Sequence, residues 1–242
     1  MINNCRVGCY ITIPSEIVAE IICNMPYDFI VVDLEHSVVS IEDAQNIIRI
    51  AQLYNKKSLV RVSSNNTVEI KKVLDAGADG IIVPMINTVE EAKQAIKNSF
   101  YPPVGIRGVG LARGQMYGKN FYSYLEKVKE KDIEIIVQFE HIDVMENVDE
   151  ILSLDGINGF MIGPYDFTAS MGIHGQFDNP LFLDKLTIIN NINKKYKKTQ
   201  GFHLIDPDPV AFRKLLNDKY NFVVYSIDTK HLNSSAEEIF NE

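Results

Sequence analysis

Short, β-branched apolar runs alternate with stretches in which apolar residues recur every three or four positions, almost from end to end of the chain. The first pattern predicts strands buried on both faces, as in a parallel sheet, and the second predicts amphipathic helices. Eight strands are expected, at 6–11, 29–33, 58–62, 80–84, 134–139, 159–162, 201–204 and 222–226. The helices between them carry start and stop signals. "PSEIVAEIIC" opens with Pro14 at a helix start, and "SIEDAQNIIRIAQLY" has Ser40 as N-cap with Asp43 three residues on. "TVEIKKVLDAG" and "TVEEAKQAIKN" each begin at a Thr cap, Thr67 and Thr88, and the first stops at Gly77.

No Ser/Gly-rich linker or low-complexity tract divides the chain, so residues 1–242 are expected to form a single domain. Eight βα units in 242 residues suit a closed (β/α)8 TIM barrel better than a doubly wound sheet, which usually has fewer strands. In such a barrel the chemistry sits at the C-terminal ends of the strands. Strand two ends in Asp33, Glu35 and His36, strand three in Arg61, strand five in Gln138 and Glu140, and strand six runs through "GPYD" to Asp166. Strand seven offers His203 and strand eight Asp228. Strand one ends in Ile11 and Thr12, and strand four ends in Pro84 without a polar group.

Composition narrows the ligand. Hydrophobic residues make up 46%, enough for a sizeable core. With 24 basic against 32 acidic side chains the net charge is -8, which leaves no footprint for nucleic acid or an anionic membrane and points to small-molecule ligands. Lys194, Lys195, Lys197 and Lys198 read as the solvated end of a helix. Cys5, Cys9 and Cys23 form no CxxC, which suits a reducing compartment, and cytoplasm is the expected location. No charged-then-apolar leader is visible, and no apolar run approaches the ~20 residues of a membrane helix.

Glu140 and Asp166, on neighbouring strand tips, form a plausible all-oxygen ligand pair for a hard cation such as Mg2+ or Mn2+. Pairing with Arg or loop capping is the competing reading. No HxH, HExxH or Cys/His cluster supplies a zinc set. Arg61 beside a cation would stabilise a negative oxygen, with an ion pair inside the barrel as the bland alternative. His36 is the group nearest neutrality, and Asp33 is placed three residues earlier to orient it. No expected strand or tip carries the lysine a Schiff-base aldolase needs, so carbanion chemistry here would need a metal. GxSxG and G-x-x-x-x-G-K-[ST] are missing, and "GIRGVG" at 105–110 has the wrong spacing for a dinucleotide fingerprint.

At this point the motifs resemble a known family. "DFIVVDLEHS", "VRVSSNNTVEIKKVLDAGADGIIVPMINTVEEA", "YPPVGIRGVG", "VQFE" and "IGPYDFTASMG" are similar, in order and spacing, to the metal-dependent, pyruvate-specific class II aldolases typified by 4-hydroxy-2-oxoheptanedioate aldolase, within the aldolase/citrate lyase group. The resemblance implies a phosphoenolpyruvate/pyruvate-type barrel and a lyase that cleaves a 4-hydroxy-2-oxo acid to pyruvate and an aldehyde through a metal-stabilised enolate. It assigns Glu140 and Asp166 to the divalent metal (Mg2+ or Mn2+, with Co2+ admissible). Arg61 and Gln138 fall on substrate-binding positions, His36 on the acid–base position supported by Asp33, and Asp75 on a further catalytic aspartate. The turn Gly163, Pro164, Tyr165, Asp166 is expected to receive the pyruvate carboxylate. The last helix, 235–240, resembles a segment that this superfamily exchanges between subunits, and a homo-oligomer, a hexamer in the family, is implied.

After "GIRGVG" the chain departs from the best-known members with "LARGQMYGKNFYSYLEKV", and strand seven reads "GFHLIDPDP". Tyr117, His203 and Tyr225 stand either as lining of the aldehyde end or as rim packing, and His174 as an exposed loop residue. Two other readings compete with the aldolase. One is an acyl-CoA-type lyase of the citrate lyase group; the other is a non-catalytic barrel that binds an oxo acid.

Overall fold

The computed structural model describes residues 2, 4–130 and 132–237. Eight strands, β1 (Arg6–Ile11), β2 (Phe29–Asp33), β3 (Lys57–Arg61), β4 (Gly80–Val83), β5 (Glu134–Phe139), β6 (Gly159–Ile162), β7 (Thr199–Leu204) and β8 (Phe222–Ile227), each pair in parallel with the next. Strand β8 pairs back onto β1, closing the barrel. The expected (β/α)8 architecture is therefore the observed one. Strand β3 starts one residue early, at Lys57, which is exposed at the end away from the mouth.

The period of two along each strand sorts side chains into two cores. Ile30, Val32, Val60, Ile135 and Val137 face outward into the layer shared with the helices. Phe29, Val31, Leu59, Ile136, Phe222 and Val224 face inward with Tyr10, Ile82 and Met161. Phe29 stacks on Phe222 at 4.4 Å near the barrel floor, and Arg6 pairs with Glu134 at the strand starts. Gly8 makes room for this plug, since a Cβ there would lie 2.3 Å from the Phe29 ring. The same alternation, continued upward, turns Thr12, Asp33, Arg61, Gln138 and His203 toward the mouth.

The helices are α1 (Glu16–Asn24), α2 (Ile41–Leu53), α3 (Thr67–Asp75), α4 (Val89–Ser99), α5 (Phe121–Lys129), α6 (Val148–Ser153), α7 (Pro164–Ser170), α8 (Pro180–Tyr196), α9 (Pro209–Asn217) and α10 (Asp228–Glu237). Ser40 with Asp43 and Thr88 with Glu91 form reciprocal capping boxes; the sequence predicts the Ser40–Asp43 pair and, at Thr88, the cap alone. Two start signals move by one residue. Ser15, not Pro14, caps α1, and Asn66, not Thr67, caps α3, because the Thr67 hydroxyl is spent donating to Asn98. Gly77 ends α3 with φ +102°, a left-handed position that costs glycine little. The final helix begins earlier than expected, at Asp228 directly off β8, and residues 238–240 of the expected 235–240 segment lie outside the described residues. No helix among the described residues is long and apolar enough to cross a membrane.

Candidate active site

A cavity of about 190 Å3 opens at the C-terminal mouth of the barrel, and most of the residues singled out in the sequence line it. Asp33 and His36 come from β2 and its following loop, Arg61 from β3, Gln138 from β5, and Gly163, Pro164, Tyr165 and Asp166 from β6 and the start of α7. Glu140 sits immediately behind this wall, 2% exposed. A Cβ on Gly163 would come within 3.1 Å of its Oε2, so glycine lets the β6 turn close over the carboxylate.

Asp33 and Arg61 stand opposite each other in the β2–β3 register. Arg61 donates from Nε to Asp33 Oδ1 at 2.8 Å and from Nη2 to Oδ2 at 2.7 Å, with both side chains almost fully enclosed. Burial works against the Arg61 charge, but the charges of its neighbours, the Asp33 and Glu35 carboxylates among them, and the Asp33 hydrogen bonds more than compensate, so its proton is held more tightly than usual; the guanidinium carbon lies 4.5 Å from the Tyr10 ring centroid. This pair corrects the role expected for Asp33. Its carboxylate is engaged by Arg61 and by the Glu35 amide, not by His36. The carboxylate nearest His36 is Glu35, with Oε2 3.6 Å from Nε2 on an imidazole that is 64% exposed. Burial, reinforced by Glu140, Asp33 and Asp166 against the opposing Arg61, pushes Glu35 up to about 7. The sequence shows Glu35 at a strand tip but offers no signal for this environment.

Glu140 is gripped from two sides. The Met85 amide donates to Oε1 at 2.5 Å and Gln138 Nε2 donates to Oε2. The tip of β4, featureless in sequence, thus contributes through its backbone. Burial raises the Glu140 pKa; the hydrogen bonds from Gln138 and Met85 oppose the rise, and the nearby Asp166 adds to it. Among the described residues no three His, Cys, Asp or Glu side chains cluster as a metal set. The available donors are two carboxylates and an amide. Gln138 Oε1 is buried with no hydrogen-bond partner, on the side chain that also holds Glu140. Arg61 is the one Arg or Lys lining the cavity, within electrostatic reach of Asp33, Glu35 and Glu140. An all-oxygen set with excess negative charge and an orphaned carbonyl fits a hard divalent cation that keeps positions open for a ligand.

Asp75 stands apart. Helix α3 runs back toward the strand starts, so its last residue lies near the end of the barrel opposite the mouth, where Arg107 Nη2 donates to Asp75 Oδ1 at 2.6 Å. The Arg107 side chain is wholly enclosed and packs over Tyr101 and Tyr124. Within "GIRGVG", Gly105 and Arg107 are the buried positions, and a Cβ at Gly105 would lie 2.2 Å from the Phe100 carbonyl oxygen. Asp75 therefore has no place at the mouth of its own barrel.

Of the three residues left between lining and packing, His203 lines the cavity. Tyr117 is 71% exposed on the loop after α4, and Tyr225 packs edge-on against Phe212 in the helical layer. His174 is exposed, as expected. Asp228 closes the β8–β1 seam by accepting from the Thr12 hydroxyl at 2.6 Å and from the Thr12 and Ile13 amides at 2.9 Å each. Ile205, Ile227 and Thr229 complete this side, unmarked by any sequence motif.

Residues 6–235 match the family model described as HpcH/HpaI aldolase/citrate lyase. The chain belongs to that family. It is 34% identical over 232 residues, 96% of this chain and 90% of the relative, to a hydroxypyruvate/pyruvate aldolase of Sagittula stellata. It is 32% identical over 229 residues, 93% of this chain and 83% of the relative, to a 2-keto-3-deoxy-L-rhamnonate aldolase of Klebsiella pneumoniae. A crystal structure of an HpcH/HpaI aldolase/citrate lyase family protein from Burkholderia cenocepacia superposes with a TM-score of 0.91 at 24% identity, covering 98% of this chain and 94% of that one, which confirms the barrel. Membership in the HpcH/HpaI family, with aldolases at this level of identity, makes the protein a lyase.

Proposed function

We propose that this HpcH/HpaI family member is a divalent-metal-dependent class II aldolase that cleaves a 4-hydroxy-2-oxo acid to pyruvate and an aldehyde, and catalyses the reverse addition. The observation that carries this reading is the convergence of Arg61, Gln138, Glu140 and Asp166 on one mouth. Glu140 and Asp166 would hold the cation, Mg2+ or Mn2+ with Co2+ admissible, beside the Gln138 carbonyl. When bound, the ion supplies Lewis acidity toward the carboxylate and ketone oxygens of the oxo acid.

The chain's own groups account for the rest. Arg61 gives Nε and Nη2 to Asp33, and its remaining N–H groups would stabilise the negative charge that develops on the C2 oxygen as the C3–C4 bond breaks and its electron pair enters the enolate. His36 takes the proton of the 4-hydroxyl as that oxygen becomes the aldehyde carbonyl, and Glu35 at 3.6 Å steadies the imidazolium. In the 163–166 turn the Gly163 amide already donates to Phe139 and Pro164 has none, which leaves the Tyr165 and Asp166 amides for the substrate carboxylate. Exposed apolar side chains at Ile106, Val109, Leu111, Met116 and Tyr117 support a homo-oligomer, and the family resemblance makes it a hexamer. Three free, buried thiols suit a cytoplasmic setting.

The test is exchange of pyruvate methyl protons with deuterated water, followed by NMR. Exchange that depends on Mg2+, Mn2+ or Co2+ and stops with a chelator is the expected result. Absence of exchange with all three ions would favour an oxo-acid-binding barrel instead.

A further inference from the structure

The two halves of the mouth differ in chemistry. Arg61 on β3 and the carboxylate-bearing ends of β5 and β6 form a charged wall suited to the oxo acid. Opposite them, β7, β8 and β1 present Thr12, His203, Ile205, Ile227 and Thr229, an uncharged wall left for the aldehyde half. We propose that His203 sets acceptor specificity by hydrogen-bonding a hydroxyl group on the aldehyde half, while the wall around it disfavours carboxylated aldehydes. This rests on the aldolase reading above and assigns a residue that neither the family motifs nor that reading uses.

His203 is 6% exposed and its ring lies 4.6 Å from that of Tyr10, tilted by 59°. His203 Nε2 and the Tyr10 hydroxyl are both enclosed and both lack a hydrogen-bond partner. These two atoms are the unspent hydrogen-bonding capacity of this wall. The Tyr10 ring is held beneath the Arg61 guanidinium, so this floor is pinned. Burial, with Arg61 and His36 adding to it, pushes His203 down to about 3, and the imidazole is neutral at physiological pH. A neutral imidazole offers one donor and one acceptor. The two nitrogens point apart, so one of them meets a ligand, and a hydroxyl complements that atom whether it donates or accepts.

A carboxylate finds no counter-charge on this wall. Asp228 lies behind Thr12, bonded to its hydroxyl at 2.6 Å, and Lys230 is held by Asp206 at 2.8 Å. A carboxylated aldehyde would therefore find no uncommitted Lys or Arg among the residues lining the cavity.

The experiment compares aldol addition of pyruvate to glycolaldehyde, acetaldehyde and succinate semialdehyde by the metal-loaded wild type, His203→Leu and His203→Gln, with pyruvate proton exchange measured in parallel. The wild type is expected to favour glycolaldehyde over both other aldehydes in kcat/KM. His203→Leu lowers the glycolaldehyde value about tenfold to a hundredfold more than the acetaldehyde value. His203→Gln, which keeps a donor and an acceptor, recovers part of the preference. An unchanged glycolaldehyde-to-acetaldehyde ratio in His203→Leu, or an equal loss with both aldehydes, overturns the proposal; so does a wild type that prefers succinate semialdehyde. Exchange that is absent already in the wild type instead overturns the aldolase reading on which it stands.

Discussion

Arg61 and Asp33 face each other in register on adjacent strands and share two parallel hydrogen bonds of 2.8 and 2.7 Å inside the barrel mouth. The pair fixes the guanidinium plane, so the edge that meets a ligand is set before any ligand arrives. Within the "DLEH" segment Asp33 takes both Arg61 hydrogen bonds, while Glu35 Oε2 lies between Arg61 Nε at 3.4 Å and His36 Nε2 at 3.6 Å.

Breaking that pair from one side is costly. Asp33→Ala leaves the Arg61 charge with 7% side-chain exposure and without its bidentate partner, and about 3–5 kcal/mol of stability should be lost in urea unfolding. Adding Arg61→Met to Asp33→Ala should recover part of the loss, because the uncompensated charge is then gone. A loss below about 1 kcal/mol in the single variant contradicts this account.

Glu140→Ala should abolish Mn2+ binding, followed by calorimetry, and lower proton exchange and retro-aldol turnover together by at least about a hundredfold. The metal-free variant should remain folded, since a buried carboxylate has been removed along with the hydrogen bonds it accepted from Met85 and Gln138. Retention of Mn2+ affinity would remove Glu140 from the ligand set.

His36→Ala acts at an imidazole that is 64% exposed, so stability should change by no more than about 0.5 kcal/mol and cation binding should persist. Retro-aldol turnover should drop by about a hundredfold or more, as expected for loss of a general base. Undiminished turnover would assign the proton transfer elsewhere, with Glu35 the next candidate.

The acidic side of the mouth has a pH signature in the metal-free protein. Glu35 is raised from 4.5 to about 7, so between those values the folded chain keeps a proton that the unfolded chain has lost. Unfolding then releases a proton, and stability falls as pH rises through this window. Glu35→Gln should flatten that part of the profile in thermal melts and leave the variant more stable than wild type at about pH 8. Parallel profiles for the two proteins would show that Glu35 ionises normally.

Much was legible along the chain because strand and helix periods are local properties. The eight apolar runs, the caps at Ser40 and Thr88 and the stop at Gly77 depend on neighbours a few residues away, and all appear in the structure. The strand tips are local for the same reason, and they carry Asp33, His36, Arg61, Gln138, Glu140, Asp166 and His203. What closure of the barrel decided is which of them meet. Register across β2 and β3 gave Asp33 to Arg61, a backbone amide after β4 reached Glu140, and the return of α3 carried Asp75 to the far end. Burial of Glu35 and His203 also came only with closure, because desolvation depends on side chains distant in sequence, and it moves these two groups in opposite directions by disfavouring the charged form of each.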